Sequence, residues 1–117
     1  MVAFVAIAAT GCAVPDAVPY SGRWKRTPEG GTPLHLAVEK TGTVAIRFDQ
    51  PPQGTAPEMK GRGIFHADTV SFTGAGCEPG TARYQLAVNA AGLTVTPLGT
   101  DGCSVRRAAL GGVWSRE

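Results

Sequence analysis

The sequence predicts an all-β domain, a small up-and-down antiparallel barrel of about eight strands with one short helix before the last strand. Three observations predict it. The 117 residues include 16 Gly and 9 Pro with a hydrophobic fraction of 43%, the composition of short apolar segments joined by many tight turns. Several of those segments alternate apolar and polar residues with period two, the mark of half-buried strands. Finally, sequential antiparallel strands leave exposed edges unless the sheet closes, and an up-and-down barrel is the simplest closure. The length allows one small domain and one core.

Taken in order, the chain opens on an apolar run, Val2 to Ala9, followed by Thr10-Gly11-Cys12. The run is about half of the roughly 20 residues that span a bilayer. An apolar stretch closed by small residues reads as a removable targeting segment, and Cys12 behind it resembles the lipobox cysteine of bacterial lipoproteins, which is thioether-linked to diacylglycerol. No Lys or Arg precedes the run, so either the start is truncated or the α-amino group alone supplies the charge of the n-region. A buried N-terminal strand with a core cysteine is the alternative. The expected organisation is a lipoprotein signal peptide over 1–11, a tether over 12–19 and the barrel domain over 20–117. Pro15 and Pro19 make the tether an extended spacer that lifts the domain off the membrane.

Strand patterns begin at Tyr20. Leu34, Leu36 and Val38 alternate with His35, Ala37 and Glu39, and after Lys40-Thr41-Gly42 the residues Val44, Ile46 and Phe48 alternate with Ala45, Arg47 and Asp49, predicting a hairpin. Asp49 to Pro57 contains Pro51, Pro52, Gly54 and Pro57 and is a loop. Gly63–His66 and Val70–Thr73 are strands around Ala67-Asp68-Thr69, and Gly74-Ala75-Gly76 ends the run. Ala82, Tyr84, Leu86 and Val88 alternate with polar or small residues and turn through Asn89-Ala90-Ala91-Gly92 into Leu93, Val95 and Pro97. Between Asp101 and Leu110 the spacing becomes helical, with Asp101 as N-cap and Gly111-Gly112 as the stop. Val113–Arg116 is the last strand. No internal repeat is expected beyond this meander.

Three cysteines divide into Cys12 for lipid and one even pair, Cys77 and Cys103. An exported protein meets an oxidising environment in which such a pair closes, and a loop of this size stabilises by about 3 to 4 kcal/mol on the chain-entropy model. Without C-x-x-C spacing the pair is structural rather than redox-active. His35 and His66 are not at zinc-motif distances from either cysteine, so no metal or other cofactor is expected. Net charge is +2, from 11 basic and 9 acidic residues. Arg23-Trp24-Lys25-Arg26 and Arg106-Arg107 are too short as basic clusters to favour nucleic acid, whose phosphates demand many contacts.

No catalytic residue is expected. A nucleophile needs a base within hydrogen-bond reach, and Ser71 and Ser104 lie in no G-x-S-x-G context. His35 alternates with Leu34 and Leu36 and points outward; His66 sits at a strand end. Glu39 and Asp49 flank one hairpin as ordinary surface charge.

Gly22-Arg23-Trp24 on the first strand resembles the G-x-W signature of lipocalins and related calycins, and Arg106 or Arg107 resembles the late arginine that packs across that tryptophan. The resemblance implies that Trp24 plugs the closed end of a barrel with Arg106 over its ring, and that Gly22, Trp24, Arg106 and Trp114 close the barrel. The chain also resembles small secreted bacterial barrels ending in D-x-C-x-x-R-x-x-x-L and a tryptophan, here Asp101, Cys103, Arg106, Leu110 and Trp114. It departs from lipocalins in its shorter domain, in lacking the T-D-Y motif and in its missing or reduced C-terminal helix.

Inward positions are expected at Leu36, Val38, Val44, Ile46, Phe48, Phe65, Val70, Phe72, Tyr84, Leu86, Val88, Leu93 and Val95. An eight-stranded interior is either filled by such side chains or holds one small ligand, so Phe48, Phe72, Tyr84 and Leu86 are the candidate ligand-lining residues. The expected function is that of a cell-envelope protein, lipid-anchored on the extracytoplasmic side, with a small apolar ligand in the barrel mouth. The alternative is a ligand-free structural module with an envelope protein as partner.

Overall fold

The computed structural model describes residues 12–51, 53, 54, 56–74 and 77–117, including all of their side chains except those of 77–80. The leader expected over 1–11 lies outside these residues. Eight strands, β1 (Gly22–Arg26), β2 (Leu34–Val38), β3 (Thr43–Phe48), β4 (Glu58–His66), β5 (Thr69–Gly74), β6 (Cys77–Asn89), β7 (Gly92–Leu98) and β8 (Gly112–Arg116), are joined by one helix, α1 (Ser104–Leu110). Each strand pairs antiparallel with the next and β8 pairs with β1, so the sheet is a closed barrel. Closure pairs both outer strands and removes the edges that an open meander would expose.

The two-residue period explains which side chains fill the barrel. Leu36 lies opposite Ile46 and Val38 opposite Val44, so register and alternation put both apolar sets on the inner face. Phe65 opposite Val70, Phe72 opposite Ala82 and Leu86 opposite Val95 continue the same layer around the barrel. All of these side chains are buried. Val88 is the exception among the expected inward residues. It is exposed, one residue from the end of β6 and at the rim of the barrel, although its partner Leu93 is buried.

The two ends of the barrel are built differently. One end carries the β2–β3, β4–β5 and β6–β7 hairpins together with residues 12–21; the other carries the β1–β2 and β3–β4 loops and α1. The expected spacer over 12–19 is instead folded onto the first end. Val14 N–H donates to the Lys40 carbonyl at 2.7 Å, Ala17 is fully buried, and Val18–Tyr20 form a 3-10 turn. Tyr20 stacks on Phe65, with centroids 6.2 Å apart. Proline stiffens this segment, but the apolar side chains of Val14, Ala17 and Tyr20 find a barrel end to cover.

β6 also departs from expectation, since it starts at Cys77 rather than at Ala82. A register shift at Thr73/Gly74 lets Gly74 pair with Cys77, which takes Pro79 and Gly80 into the strand.

Trp24 and Trp114 occupy matching positions in β1 and β8. The indole N–H of each donates to the carbonyl four residues earlier, Tyr20 and Leu110, in both cases at 3.0 Å. Between carbonyl and indole stand Gly22 (φ +132°) and Gly112 (φ +138°), where a backbone that side chains resist turns the chain from helix to strand. The Arg116 guanidinium lies 4.2 Å from the Trp24 ring centroid, and that of Arg26 lies 5.3 Å from the Trp114 centroid. Antiparallel pairing makes the exchange reciprocal, since Trp24 is opposite Arg116. A Cβ on Gly22 would come within 2.7 Å of Arg116 Nη1, and one on Gly112 within 3.0 Å of Arg26 Nη1. Gly22–Arg26 and Gly112–Arg116 thus both read G-x-W-x-R, a short repeat that the expectation of no repeat missed. The expected pairing of Arg106 with Trp24 is corrected at the same time. The cation over Trp24 comes from the neighbouring strand, because Arg106 on α1 is committed elsewhere.

Candidate functional site

α1 is held over its end of the barrel by a buried polar cluster. Arg106 Nε and Nη2 donate to the two carboxylate oxygens of Asp101 at 2.9 and 2.8 Å, and Nη1 donates to the Gly74 carbonyl at 2.7 Å. The Tyr84 hydroxyl donates to Asp101 Oδ2 at 2.5 Å, and Cys103 N–H donates to Oδ1 at 2.8 Å. Asp101 and Arg106 are 3% and 1% exposed. A bidentate pair this deep needs its remaining polar atoms satisfied, and Tyr84, Gly74 and Cys103 do that. Arg106 holds the Asp101 carboxyl well below the usual carboxylate range, helped by Tyr84 and the Cys103 amide and opposed by burial. Burial, then the Asp101 hydrogen bond, pushes the Tyr84 phenol far above its usual value. Asp101 is therefore not the N-cap of α1, which is Cys103 without a side-chain cap bond. Its carboxylate is taken by the arginine.

The other end of α1 is tied to β1. Arg26 Nη2 donates to the carbonyls of Ala108 and Ala109 at 2.9 and 2.8 Å, where a cation also meets the negative end of the helix.

Between the fixed helix and the barrel rim lies a cleft of about 500 Å³. Its floor is Leu34 and Phe48, the top residues of β2 and β3; one wall is Val105, Ala108 and Ala109 of α1, and Pro28 closes the opposite side. Thr32, Gln50 and Ser104 are the polar lining residues, and none of the lining is charged. α1 contributes two small side chains, Ala108 and Ala109, to this lining. The size of the cleft lies in the range of small-molecule sites.

Of the four expected ligand-lining residues, Phe48 lines this cleft. Phe72, Tyr84 and Leu86 are packed in the core; Phe72 meets Tyr84 edge-on at 5.5 Å, and the Tyr84 hydroxyl is spent on Asp101. The cleft residues on α1 carried no alternation and no motif, so the sequence offered no signal for them beyond two adjacent alanines.

His35 does face outward, on β2, and is half-buried between two carboxylates. Its Nε2 lies 3.1 Å from Asp49 Oδ1 and its Nδ1 contacts Glu117 Oε2. His66 is exposed at the end of β4. Among the described residues, no group of three or more His, Cys, Asp or Glu side chains is placed to hold a metal ion. Cys12 is exposed and Cys103 buried. The Cys77 side chain, and with it the expected bridge, falls outside the described residues.

Comparison with protein-family models, with curated proteins and with solved structures finds no match for the chain.

Proposed function

We propose that this protein is a lipid-anchored binding module of the cell envelope with a lipocalin-like barrel, and that a small uncharged apolar molecule binds in the cleft under α1 rather than along the barrel axis. The observation that carries the reading is the cleft itself, about 500 Å³ with an apolar, uncharged lining. An apolar guest buried there gains roughly 25 cal/mol per Å² removed from water, and Thr32, Gln50 and Ser104 offer orienting hydrogen bonds. The helix that forms one wall is fixed at both ends, so little ordering is needed on binding.

Lipidation at Cys12 and a bridge from Cys103 to Cys77 belong to the same reading. Arg106 on α1 bonds the Gly74 carbonyl and Gly74 pairs with Cys77, which brings the start of α1 to the strand end that carries Cys77.

Native mass spectrometry of the protein extracted from its own membrane tests the guest. A stoichiometric apolar adduct, absent from Ala108→Trp while that variant keeps its circular dichroism and melting temperature, is the expected result. A wild-type protein with no adduct, and with no uptake of an apolar fluorescent probe that Ala108→Trp alters, would reject it. The filled interior favours a second reading, a ligand-free interaction module, and that negative result is what this reading expects.

A further inference from the structure

We infer that the barrel end built from the three hairpins and residues 12–21 rests on the lipid surface, so that the cleft under α1 opens to the aqueous side. The inference deepens the anchored reading above and rests on it.

The first argument is reach. Val14 is bonded to the Lys40 carbonyl at 2.7 Å, and Ala13 alone separates it from Cys12. At about 3.5 Å per residue, a group on Cys12 starts within roughly 7 Å of the barrel end. Nothing in 12–21 serves as a leash, since Ala17 and Tyr20 are buried in the barrel end. A lipid on Cys12 therefore leaves from this end.

The second argument is the exposed apolar surface, which is independent of the cysteine. Val18 is 40% exposed and Val88 43% exposed. Val18 sits on the 3-10 turn that packs on β6, and Val88 stands one residue from the end of that strand. The tip of the adjoining hairpin is Ala90-Ala91, also exposed. Ile64, 61% exposed, lies two residues before the end of β4 on the same half of the barrel. Val113 belongs to the other half. An apolar rim around the point of attachment is what a barrel end pressed against lipid acquires.

Charge sets the kind of lipid surface. Asp16, Glu39, Lys40, His66 and Asp68 on this end mix both signs, and the Asp16 and Asp68 carboxylates already accept from Ala67 N–H at 3.0 Å and Gln85 Nε2 at 3.2 Å. Polybasic attraction to anionic headgroups has no basis here, so the seating follows from the attachment and the apolar rim. It is expected on zwitterionic bilayers, since Asp16, Glu39 and Asp68 outnumber Lys40 at this end and an anionic surface repels that balance.

The test uses the membrane-attached full chain with a reporter thiol at one of two exposed positions, Ala90→Cys on the first end or Gln53→Cys on the second, and a membrane-impermeant maleimide. On phosphatidylcholine vesicles Ala90→Cys should label several-fold more slowly than in detergent, while Gln53→Cys labels equally in both. Val18→Ser with Val88→Ser should restore labelling at position 90 without releasing the protein. Equal labelling of both positions on vesicles, or protection of position 53 instead, overturns the orientation while leaving the anchor intact. Wild-type protein that fractionates as soluble overturns the anchor and the orientation together, and Cys12→Ser identifies that case because it then changes nothing.

Discussion

Replacing Asp101 with asparagine isolates the cluster that fastens α1. The substitution keeps the size of the side chain but removes the charge and turns an N–H₂ or a weaker acceptor towards Arg106, whose three nitrogens now bond the carboxylate and Gly74. Leaving one member of a buried pair unpartnered costs about 3 to 5 kcal/mol, against a total stability of about 5 to 15 kcal/mol for a small domain. At roughly 4 to 5 °C per kcal/mol, the melting temperature falls by about 12 to 25 °C. Thermal and urea unfolding followed by circular dichroism measure it. The pH dependence gives a second handle. The Asp101 carboxyl is held below its unfolded value, so its contribution is complete above about pH 4 and is lost as pH falls, by roughly 1 kcal/mol per pH unit. The Asp101→Asn variant lacks that contribution at every pH, so the gap between wild type and variant narrows from about pH 4 to pH 3. A loss below about 1 kcal/mol at pH 7, or a gap that stays constant on acidification, would refute the assignment of Asp101 and Arg106 as a coupled buried pair. Combining Asp101→Leu with Arg106→Met should recover part of the loss, because no charge is then stranded although the Tyr84 hydroxyl, the Gly74 carbonyl and the Cys103 N–H lose their partners.

Two further outcomes follow from the closure of the barrel. Gly92→Ala places a Cβ 2.0 Å from the Trp114 carbonyl oxygen, a backbone atom that cannot step aside, so β7 and β8 should separate and the variant should lose native near-ultraviolet circular dichroism; a variant with unchanged melting temperature shows the approach to be relaxed. Arg26→Met removes both bonds to the last turn of α1 and the cation over Trp114, costing about 1 to 3 kcal/mol. Hydrogen exchange should show the loss as earlier opening of α1 than of β6, and uniform weakening of all elements would contradict a local role.

Most of the meander was legible because its strands are half-buried. Leu34, Leu36 and Val38 must face one way and His35 and Ala37 the other, and that alternation is written in the order of the residues. The 3-10 turn and the start of β6 were not legible for the opposite reason. Pro15, Pro19 and Pro79 look like breakers along the chain, and only a neighbouring barrel end or a bulged partner strand gives those residues something to pack or pair against. Trp24 was recognised from its glycine, yet its covering arginine was misplaced, since G-x-W says nothing about which cation the partner strand brings; the second G-x-W-x-R at Gly112–Arg116 was the available signal. Of the cleft, Phe48 was named as ligand-lining and Leu34 was placed by alternation on the inner face of β2.

By itself the sequence determined the closed all-β class, the order of its elements and the inner face of nearly every strand, because period and turn chemistry are local properties of neighbouring residues. Tertiary structure alone decided that Asp101 takes Arg106, that Arg26 and Arg116 exchange tryptophans across the β1–β8 seam, and that a cleft opens under α1. Those outcomes depend on side chains distant in the chain competing for the same volume and the same hydrogen bonds, and that competition is resolved when the barrel closes.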